Sequence, residues 1–412
     1  MNYNRILRAT NFLFICAGYQ VQWFSVATRI FKLHAAPVIY LILLTFWYAA
    51  CFREHFLDSS IFGFLKMIVP ALHNIIRFHL LMGLKIWIFV IFEMRYITKA
   101  LNDFIKILPS QTNFKWSWKD LNAFIWLFSG LLINMGFAFY IMFEMEFMLP
   151  TMNQIMHASA LFLPHFALAC SFKVLNLASL VSKSELESIH SKINDVIQND
   201  SPIRKKDSER ENGVELSSQP STDLEIKIPD LETLQLLVRK LQGLVSTTSN
   251  INQVIQKQML FLFVMNSISM LGAGYIIVYY NSKWHLILEG PLGNSLYAFN
   301  VGVFVFIFWD YFCICFVNYS LESVKFKFLK DVIEILRRKL PLEEDKRIAL
   351  KDMKKILKNN FNMRIFFRMP IIWQTLFTVN ILVGLAIALF ICFHYLNDNI
   401  ENLEAEMNMD EE

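Results

Sequence analysis

A long uncharged apolar segment near the C-terminus, residues 371–395, constrains the fold of this chain more than any other feature. It reads IIWQTLFTVNILVGLAIALFICFHY and contains no Lys, Arg, Asp or Glu. Roughly 20 mainly apolar residues are enough for a helix to cross the hydrocarbon core of a bilayer. The segment therefore predicts a membrane-spanning helix, and the rest of the chain has to suit a membrane.

The overall composition agrees with a membrane protein. Charged residues make up 18% of the chain, against about 25% in average soluble domains, and hydrophobic residues make up 55%, with 39 Phe. The six cysteines lie mostly in apolar runs without metal-ligand spacing, so we predict no metal and no cofactor. We predict the lipid bilayer as a partner and no nucleic acid, because no basic soluble domain stands out.

Six further apolar segments precede the last one. The seven predicted spans are 36–52, 69–92, 121–143, 152–180, 259–280, 296–316 and 371–395. Residues 5–30 alternate basic, aromatic and apolar side chains without reaching spanning length, which is typical of an interfacial helix. The predicted fold is an all-α membrane protein with seven transmembrane helices, formed by residues 1–412 as a single domain.

The longest polar region, 182–257, begins and ends with helical patterns. Apolar residues recur in 182–257 at spacings of three and four: Leu186, Ile189, Ile193, Leu234, Leu237, Leu241 and Leu244. Segment 320–361 shows a similar pattern. Such faces need partners outside the membrane, so we predict long cytoplasmic helix extensions. Between them, 199–228 is too polar to bury much surface and is predicted to be a disordered cytoplasmic loop.

The distribution of Lys and Arg predicts the orientation. Segment 320–370 holds 14 of them, whereas 144–151 and 396–412 hold none. Cytoplasmic loops carry the excess of basic residues, so we place the N-terminus in the cytoplasm and the C-terminus outside. Residues 396–412 then form an acidic extracellular tail, and the chain is predicted to be a multi-pass protein of the plasma membrane.

Several classes of seven-helix protein do not fit. G-protein-coupled receptors have the opposite orientation, and this chain lacks their Asp-Arg-Tyr and Asn-Pro-x-x-Tyr motifs. Seven-helix zinc hydrolases need a His pair in the last span, which here has only His394. We find no phosphate-binding glycine loop and no supported Ser-His-Asp arrangement. The chain is therefore predicted not to be an enzyme.

In size, inverted topology, long cytoplasmic extensions and a basic run before the last helix, the chain resembles the insect gustatory receptors. These belong to the seven-transmembrane ion channel superfamily that includes the odorant receptors. The family motif in the seventh helix is Thr-Tyr, five hydrophobic residues, then Gln-Phe. Thr378 matches the Thr, while Val379, Leu385 and Ala386 stand at the Tyr, Gln and Phe positions.

This resemblance implies a homo- or heterotetramer with the seventh helix lining a central cation pore. One face of that helix then forms a polar entry followed by a hydrophobic constriction, which can gate by dewetting. The alternative is that the same residues pack against neighbouring helices. The predicted pore-lining residues are Gln374, Thr378, Leu382, Leu385 and Leu389.

Asp310 is an acid deep inside the sixth predicted span, where ionisable residues are rare and are usually paired or functional. Counted from the predicted outer ends of their spans, Asp310 and Lys85 lie at similar depths, roughly 21 Å and 24 Å. We therefore predict an ion pair between Asp310 and Lys85. The alternative is that both side chains extend separately to the cytoplasmic interface.

The family also implies a pocket for a small-molecule ligand among spans two to six. Polar side chains in these spans are candidates to contact a ligand, although a lone polar residue on an apolar helix often serves only packing. The candidates are His73, Arg77, Asn134, His165, Tyr275, Tyr279 and Asn300.

Together these patterns favour a chemosensory receptor that is a ligand-gated nonselective cation channel subunit. A non-conducting gustatory-receptor-like subunit or partner is the alternative. A secondary transporter is less favoured, because transporters often contain paired halves and this chain shows no internal repeat.

Overall fold

The computed structural model describes most of the chain. The described residues are 3–57, 70–108, 118–144, 152–198, 230–282, 291–337, 343–359, 364–366, 369–370, 378, 381–382, 384–386, 388–389 and 392–393. The predicted loop 199–228 and the predicted tail 396–412 lie outside them.

The described chain is almost entirely helical. Its helices are α1 (Tyr3–Cys16), α2 (Ala35–Leu57), α3 (Pro70–Ile107), α4 (Trp118–Glu144), α5 (Met152–Gln198), α6 (Leu231–Ser282), α7 (Pro291–Arg337) and α8 (Glu344–Asn359). The first six predicted spans fall on α2 to α7. The described residues 378–393 within the seventh are helical as well, so the predicted all-α class is confirmed.

Four of the described helical stretches are long and apolar enough to cross a membrane. They are Ala35–Phe56, Leu163–Ile193, Leu231–Tyr275 and Val301–Arg337, and Leu121–Gly130 is a shorter apolar stretch. Helices α5, α6 and α7 contain 47, 52 and 47 residues. At 1.5 Å per residue they are about 70–80 Å long, more than twice the roughly 30 Å hydrocarbon thickness. Each therefore extends well beyond the membrane.

The extensions pack together as the sequence pattern predicts. All seven apolar residues that recur at helical spacing in 182–257 are buried, and α8 adds Leu350, Met353 and Leu357 to the same core. Helix α8 contacts α6 and α7, and α5, α6 and α7 contact one another. The apolar faces that leave the membrane thus bury each other.

Helix α1 ends at Cys16, and Gly18, two residues later, has a φ of +69°. The Tyr19 amide then donates back to the Phe14 carbonyl at 2.8 Å, a helix ending that favours glycine because no β-carbon clashes with the left-handed turn. A β-carbon at position 18 would also lie 2.8 Å from Trp87 Cη2 and 2.9 Å from a Leu44 methyl. Glycine here lets the N-terminal segment approach α2 and α3 closely.

The Tyr19 side chain ties this segment to α6. Its hydroxyl donates to Gln258 Oε1 at 2.6 Å, and burial raises the pKa of the Tyr19 hydroxyl well above its usual value. The hydroxyl therefore stays protonated, and remains a donor, across the physiological pH range.

A β-hairpin follows α1, formed by β1 (Gln22–Ser25) and antiparallel β2 (Ile30–Leu33). Asn11 of α1 binds β1 by accepting from the Phe24 amide at 2.9 Å and donating to the Gln22 carbonyl at 2.8 Å. Asn102 of α3 binds β2 by accepting from the Phe31 amide at 2.8 Å. Two asparagines therefore satisfy backbone groups that a two-stranded sheet leaves unpaired.

A second short hairpin lies beside the helix extensions, formed by β3 (Arg364–Phe366) and antiparallel β4 (Met369–Pro370). Strand β3 contacts α6. This hairpin stands directly before the last predicted span.

Candidate functional site

The centre of the candidate site is an ion pair buried inside the helix bundle. Lys173 Nζ of α5 lies 2.5 Å from Asp310 Oδ1 of α7, and the two side chains are only 7% and 3% exposed. Removing each charge from water costs several kcal/mol, which the partner charge and further hydrogen bonds have to offset. Each side chain is therefore the direct charge partner of the other inside the bundle.

The predicted pairing of Asp310 with Lys85 is wrong, because Lys85 lies on an exposed face of α3. The error came from the assumed helix starts. Measured from the observed starts of their helices, Asp310 lies about 28 Å along α7 and Lys173 about 32 Å along α5, whereas Lys85 lies only about 22 Å along α3. Sequence reasoning overlooked Lys173, whose charge inside the apolar fourth span indicated that it also needs a partner.

Helix α4 completes the site with small residues. A β-carbon at Gly130 would lie 2.9 Å from Asp310 Oδ1 and 3.5 Å from Lys173 Nζ. Next to it, Ser129 Oγ accepts a hydrogen bond from Trp309 Nε1 at 2.7 Å. Small residues allow membrane helices to approach closely, so α4, α5 and α7 meet around the pair.

Aromatic rings separate the pair from α6. Tyr311 of α7 stacks on Phe263 of α6 with ring centroids 5.2 Å apart, and its ring meets Phe172 of α5 edge to face at 5.7 Å. These rings are all buried. The pair thus lies in a water-poor environment, where its electrostatic attraction is strong.

The predicted ligand contacts are distributed over several helices. Arg77 of α3 is exposed, with its guanidinium 5.3 Å from the ring centre of Phe56 on α2. His165 of α5 and Tyr275 of α6 are buried. The remaining candidates belong to helices, but their side chains lie outside the described residues: His73, Asn134, Tyr279 and Asn300.

Sequence reasoning missed the Tyr48 hydroxyl, a polar group of α2 near Gly83 of α3 and Pro164 of α5. A β-carbon at Gly83 would lie 3.3 Å from the Tyr48 hydroxyl and 3.4 Å from Pro164 Cγ, so α2, α3 and α5 converge here. The Tyr48 hydroxyl is buried and has no hydrogen-bond partner in the described part of the chain. Leaving a buried polar group unpaired costs about 1–3 kcal/mol. A Tyr inside an otherwise apolar predicted span was the available signal.

The last span differs from the other helices in its burial. Every described position from 378 to 393 is exposed, including three of the predicted pore-lining leucines, Leu382 at 60%, Leu385 at 56% and Leu389 at 60%. A β-carbon at Gly384 would meet no atom within 4 Å. Thr378 is also exposed, and Gln374 lies outside the described residues. A single chain therefore leaves this apolar helix uncovered at its described positions.

The described ranges contain no visible metal-binding site. No three His, Cys, Asp or Glu side chains there are placed to hold a metal ion together. All six cysteines are free thiols.

No family model matches the chain, and no curated protein matches it. The chain is similar to the insect olfactory receptor OR5 from Machilis hrabei in complex with eugenol, with a TM-score of 0.60 and 10% identity over 95% of this chain and 100% of that one. A second structure of the same receptor gives a TM-score of 0.51 and 9% identity over 95% and 99% of the two chains.

At this identity the comparison establishes the fold. The similarity extends over nearly the full length of both chains, including the helices that surround the buried pair. The chain therefore has the helical membrane fold of an insect olfactory receptor.

Proposed function

We propose that the chain is a chemosensory receptor subunit that forms a ligand-gated nonselective cation channel in the plasma membrane. The observation that carries this proposal is the last span, which is exposed at every described position on a fold similar to that of an olfactory receptor. When four copies surround a central axis, one face of the last span packs against the last spans of the other copies. Its opposite face contacts lipid and the other spans.

The pore in this proposal follows the stripe of residues at helical spacing on the last span. Thr378 supplies a polar position, and Leu382, Leu385 and Leu389 supply a narrow hydrophobic section toward the outside. A ring of apolar side chains blocks ions by dewetting until the helices separate. Gln374 forms the polar entry on the basic, cytoplasmic side of the molecule.

The ligand in this proposal is a small molecule with an apolar body and a polar group. The convergence of α2, α3 and α5 offers the unpaired Tyr48 hydroxyl and the buried His165 among apolar neighbours, the usual composition of a ligand pocket. The solved complex of a similarly folded receptor with eugenol supports a small-molecule ligand.

Cysteine modification tests the pore assignment. The chain is expressed in cultured cells, a ligand panel is screened by whole-cell recording, and a charged methanethiosulfonate reagent is applied to Leu385→Cys channels. We expect the reagent to reduce the current, because it places a charge in the narrow section. Gly384→Cys is the matched control, since Gly384 lies on another side of the helix and a side chain there meets no neighbour.

Two results contradict the proposal. One is that every ligand fails to evoke current although the protein reaches the cell surface. The other is that Gly384→Cys and Leu385→Cys respond equally to the reagent.

A non-conducting subunit is the second candidate. Leu385 and Ala386 occupy the positions where gustatory receptors have Gln and Phe, so the hydrophobic section lacks a polar side chain of the family motif. For such a subunit we expect ligand binding to the purified protein without current, and current only after co-expression with a related conducting subunit.

A further inference from the structure

An open cavity of about 710 Å³ lies at the basic end of the molecule, between α1, β1 and the start of α4. Among the seven described residues that line it, two are arginines, Arg5 and Arg8, and none is acidic. The volume is within the range of roughly 300–1,000 Å³ that is typical of ligand pockets. The cavity is remote in sequence from Tyr48, His165 and the last span, so the proposed function does not use it.

The polar part of the cavity comes from α1. Arg8 and Phe12 are one helical turn apart on the exposed face, while Ile6, Leu7 and Phe14 on the other face are buried. Arg8 forms no ion pair with any residue that the structure describes. Arginine is well suited to bind a phosphate, because its planar fork donates two parallel hydrogen bonds.

The remaining wall is apolar and exposed. Phe12 is 60% exposed, Trp23 of β1 and Leu121 of α4 are also exposed, and Phe124 stacks on Phe128 beneath them with ring centroids 4.3 Å apart. Trp118, 80% exposed, begins α4 nearby in the sequence. Exposed aromatic side chains at the start of a span are typical of the level of the lipid headgroups.

We propose that this cavity binds an anionic glycerophospholipid. The phosphate lies between Arg5 and Arg8, and an acyl chain follows the surface of Phe12, Trp23 and Phe124. A lipid matches both parts of the cavity, because its phosphate suits the arginines and its acyl chain suits the aromatic wall. A free anion would use only the arginines, and an apolar molecule would use only the aromatic wall. The positive-inside distribution places this end in the cytoplasmic leaflet, where anionic lipids are concentrated.

Native mass spectrometry of the detergent-purified full chain tests the proposal. Phosphatidylserine is the probe, phosphatidylcholine is the zwitterionic comparison, and soluble glycerophosphoserine represents a free phosphate. We expect Arg5→Gln combined with Arg8→Gln to weaken phosphatidylserine binding about thirtyfold, since each basic group near an anionic lipid contributes roughly fivefold in affinity. Phosphatidylcholine carries a phosphate but no net charge, so we expect it to bind the wild type more weakly than phosphatidylserine and to lose less affinity in the double variant.

Three further variants separate binding from folding. Arg8→Gln alone affects an exposed side chain and should weaken binding about fivefold without changing the thermal midpoint. Phe12→Ala removes part of the apolar wall and should weaken phosphatidylserine without changing any response to glycerophosphoserine. Arg239→Gln is the matched control, because Arg239 is an exposed arginine on α6 away from the cavity.

The proposal is overturned if Arg239→Gln weakens phosphatidylserine as much as Arg8→Gln does, because the effect is then one of net charge. It is also overturned if glycerophosphoserine binds as tightly as the lipid, which assigns the cavity to a free phosphate. Unchanged lipid binding in the double arginine variant overturns it as well.

Discussion

At the scale of single residues, the pair Lys173–Asp310 is the most consequential feature of the interior. Removing one partner of a buried ion pair leaves an uncompensated charge, whereas replacing both partners by apolar residues of similar volume is often tolerated. The two cases are separable by experiment. A comparison of the single and double variants shows whether the pair stabilises the fold or only offsets the cost of burying its own two charges.

We expect Asp310→Asn and Lys173→Gln each to lower the stability of the protein by about 3–5 kcal/mol, because each leaves the other charge unpaired. Asp310→Leu combined with Lys173→Met should recover most of the loss. Fluorescence-detected size-exclusion chromatography after heating measures the midpoint. Lys85→Gln is the control and should stay near wild type, since Lys85 is exposed. Equal loss in the double variant and the single variants would contradict this account.

Gly130 and Gly243 form a matched pair of helical glycines. At Gly130, a β-carbon would approach Asp310 Oδ1 to 2.9 Å, whereas at Gly243 it would meet an Ile107 methyl at an ordinary 3.6 Å. We expect Gly130→Ala to cost about 1–3 kcal/mol through overpacking. Gly243→Ala should stabilise by up to about 1 kcal/mol through helix propensity. Thermal midpoints that shift in the same direction would show that the space at Gly130 is not limiting.

Removing the single hydroxyl oxygen of Tyr48 tests the proposed ligand pocket. Tyr48→Phe removes a buried hydroxyl that has no partner among the described residues, so the thermal midpoint should stay the same or rise. We expect a higher half-maximal ligand concentration, because a polar contact with the ligand is lost. Dose–response curves measure the shift, and Tyr319→Phe on an exposed face of α7 is the control. An unchanged dose–response curve for Tyr48→Phe would exclude the contact.

At the scale of elements, the N-terminal hairpin depends on side chains from two helices. Asn102 accepts from the Phe31 amide and donates to its carbonyl at 3.3 Å, replacing a neighbouring strand. Asn102→Asp keeps the acceptor and loses the donor, while Asn102→Leu loses both. We expect amide hydrogen exchange at Phe31 to be fastest in the Leu variant and intermediate in the Asp variant. Similar exchange in both would indicate that the asparagine does not hold the strand.

The long elements could be predicted from the sequence, and the short ones could not. Apolar length and the three-to-four spacing of Leu234, Leu237 and Leu241 identify helices without knowledge of their partners. The β1–β2 hairpin has strands of four residues. Its edges are satisfied by Asn11, which lies 11 and 13 residues before the β1 groups it binds, and by Asn102, which lies 71 residues after Phe31 of β2. Such pairing carries no local signal.

The candidate site was predictable only in part, for a related reason. A charge inside a span shows that a partner is needed, so Asp310 could be identified from the sequence alone. Which lysine pairs with it depends on where each helix begins and which face it presents, and a few residues of error in the start shift the depth by several ångströms. The exposure of the last span could not be read from the sequence, because apolarity does not distinguish contact with lipid from contact with another chain.

At the scale of the whole molecule, the last span predicts contacts between copies. In a background where the exposed Cys16 and Cys392 are replaced by alanine, we expect Leu385→Cys to form disulfide-linked dimers upon mild oxidation, because equivalent residues would face each other around the axis of the proposed tetramer. Leu43→Cys on α2 is the matched control, since Leu43 is similarly exposed in one chain. Cross-linking is read on non-reducing gels. Equal yields at both positions would indicate random collision rather than a defined assembly.

The lengths of α5 and α7 have a mechanical consequence. Asp310 and Lys173 stand near the middle of these two helices, about 28 Å and 32 Å from their first residues, so the salt bridge joins α5 and α7 far from either end. Helix α5 contains Pro164 on one side of the pair, whereas α7 has no proline after its first residue. A tilt of α7 by about 3° about the salt bridge would move a helix end some 35 Å away by roughly 2 Å, and the two ends of α7 would move in opposite directions.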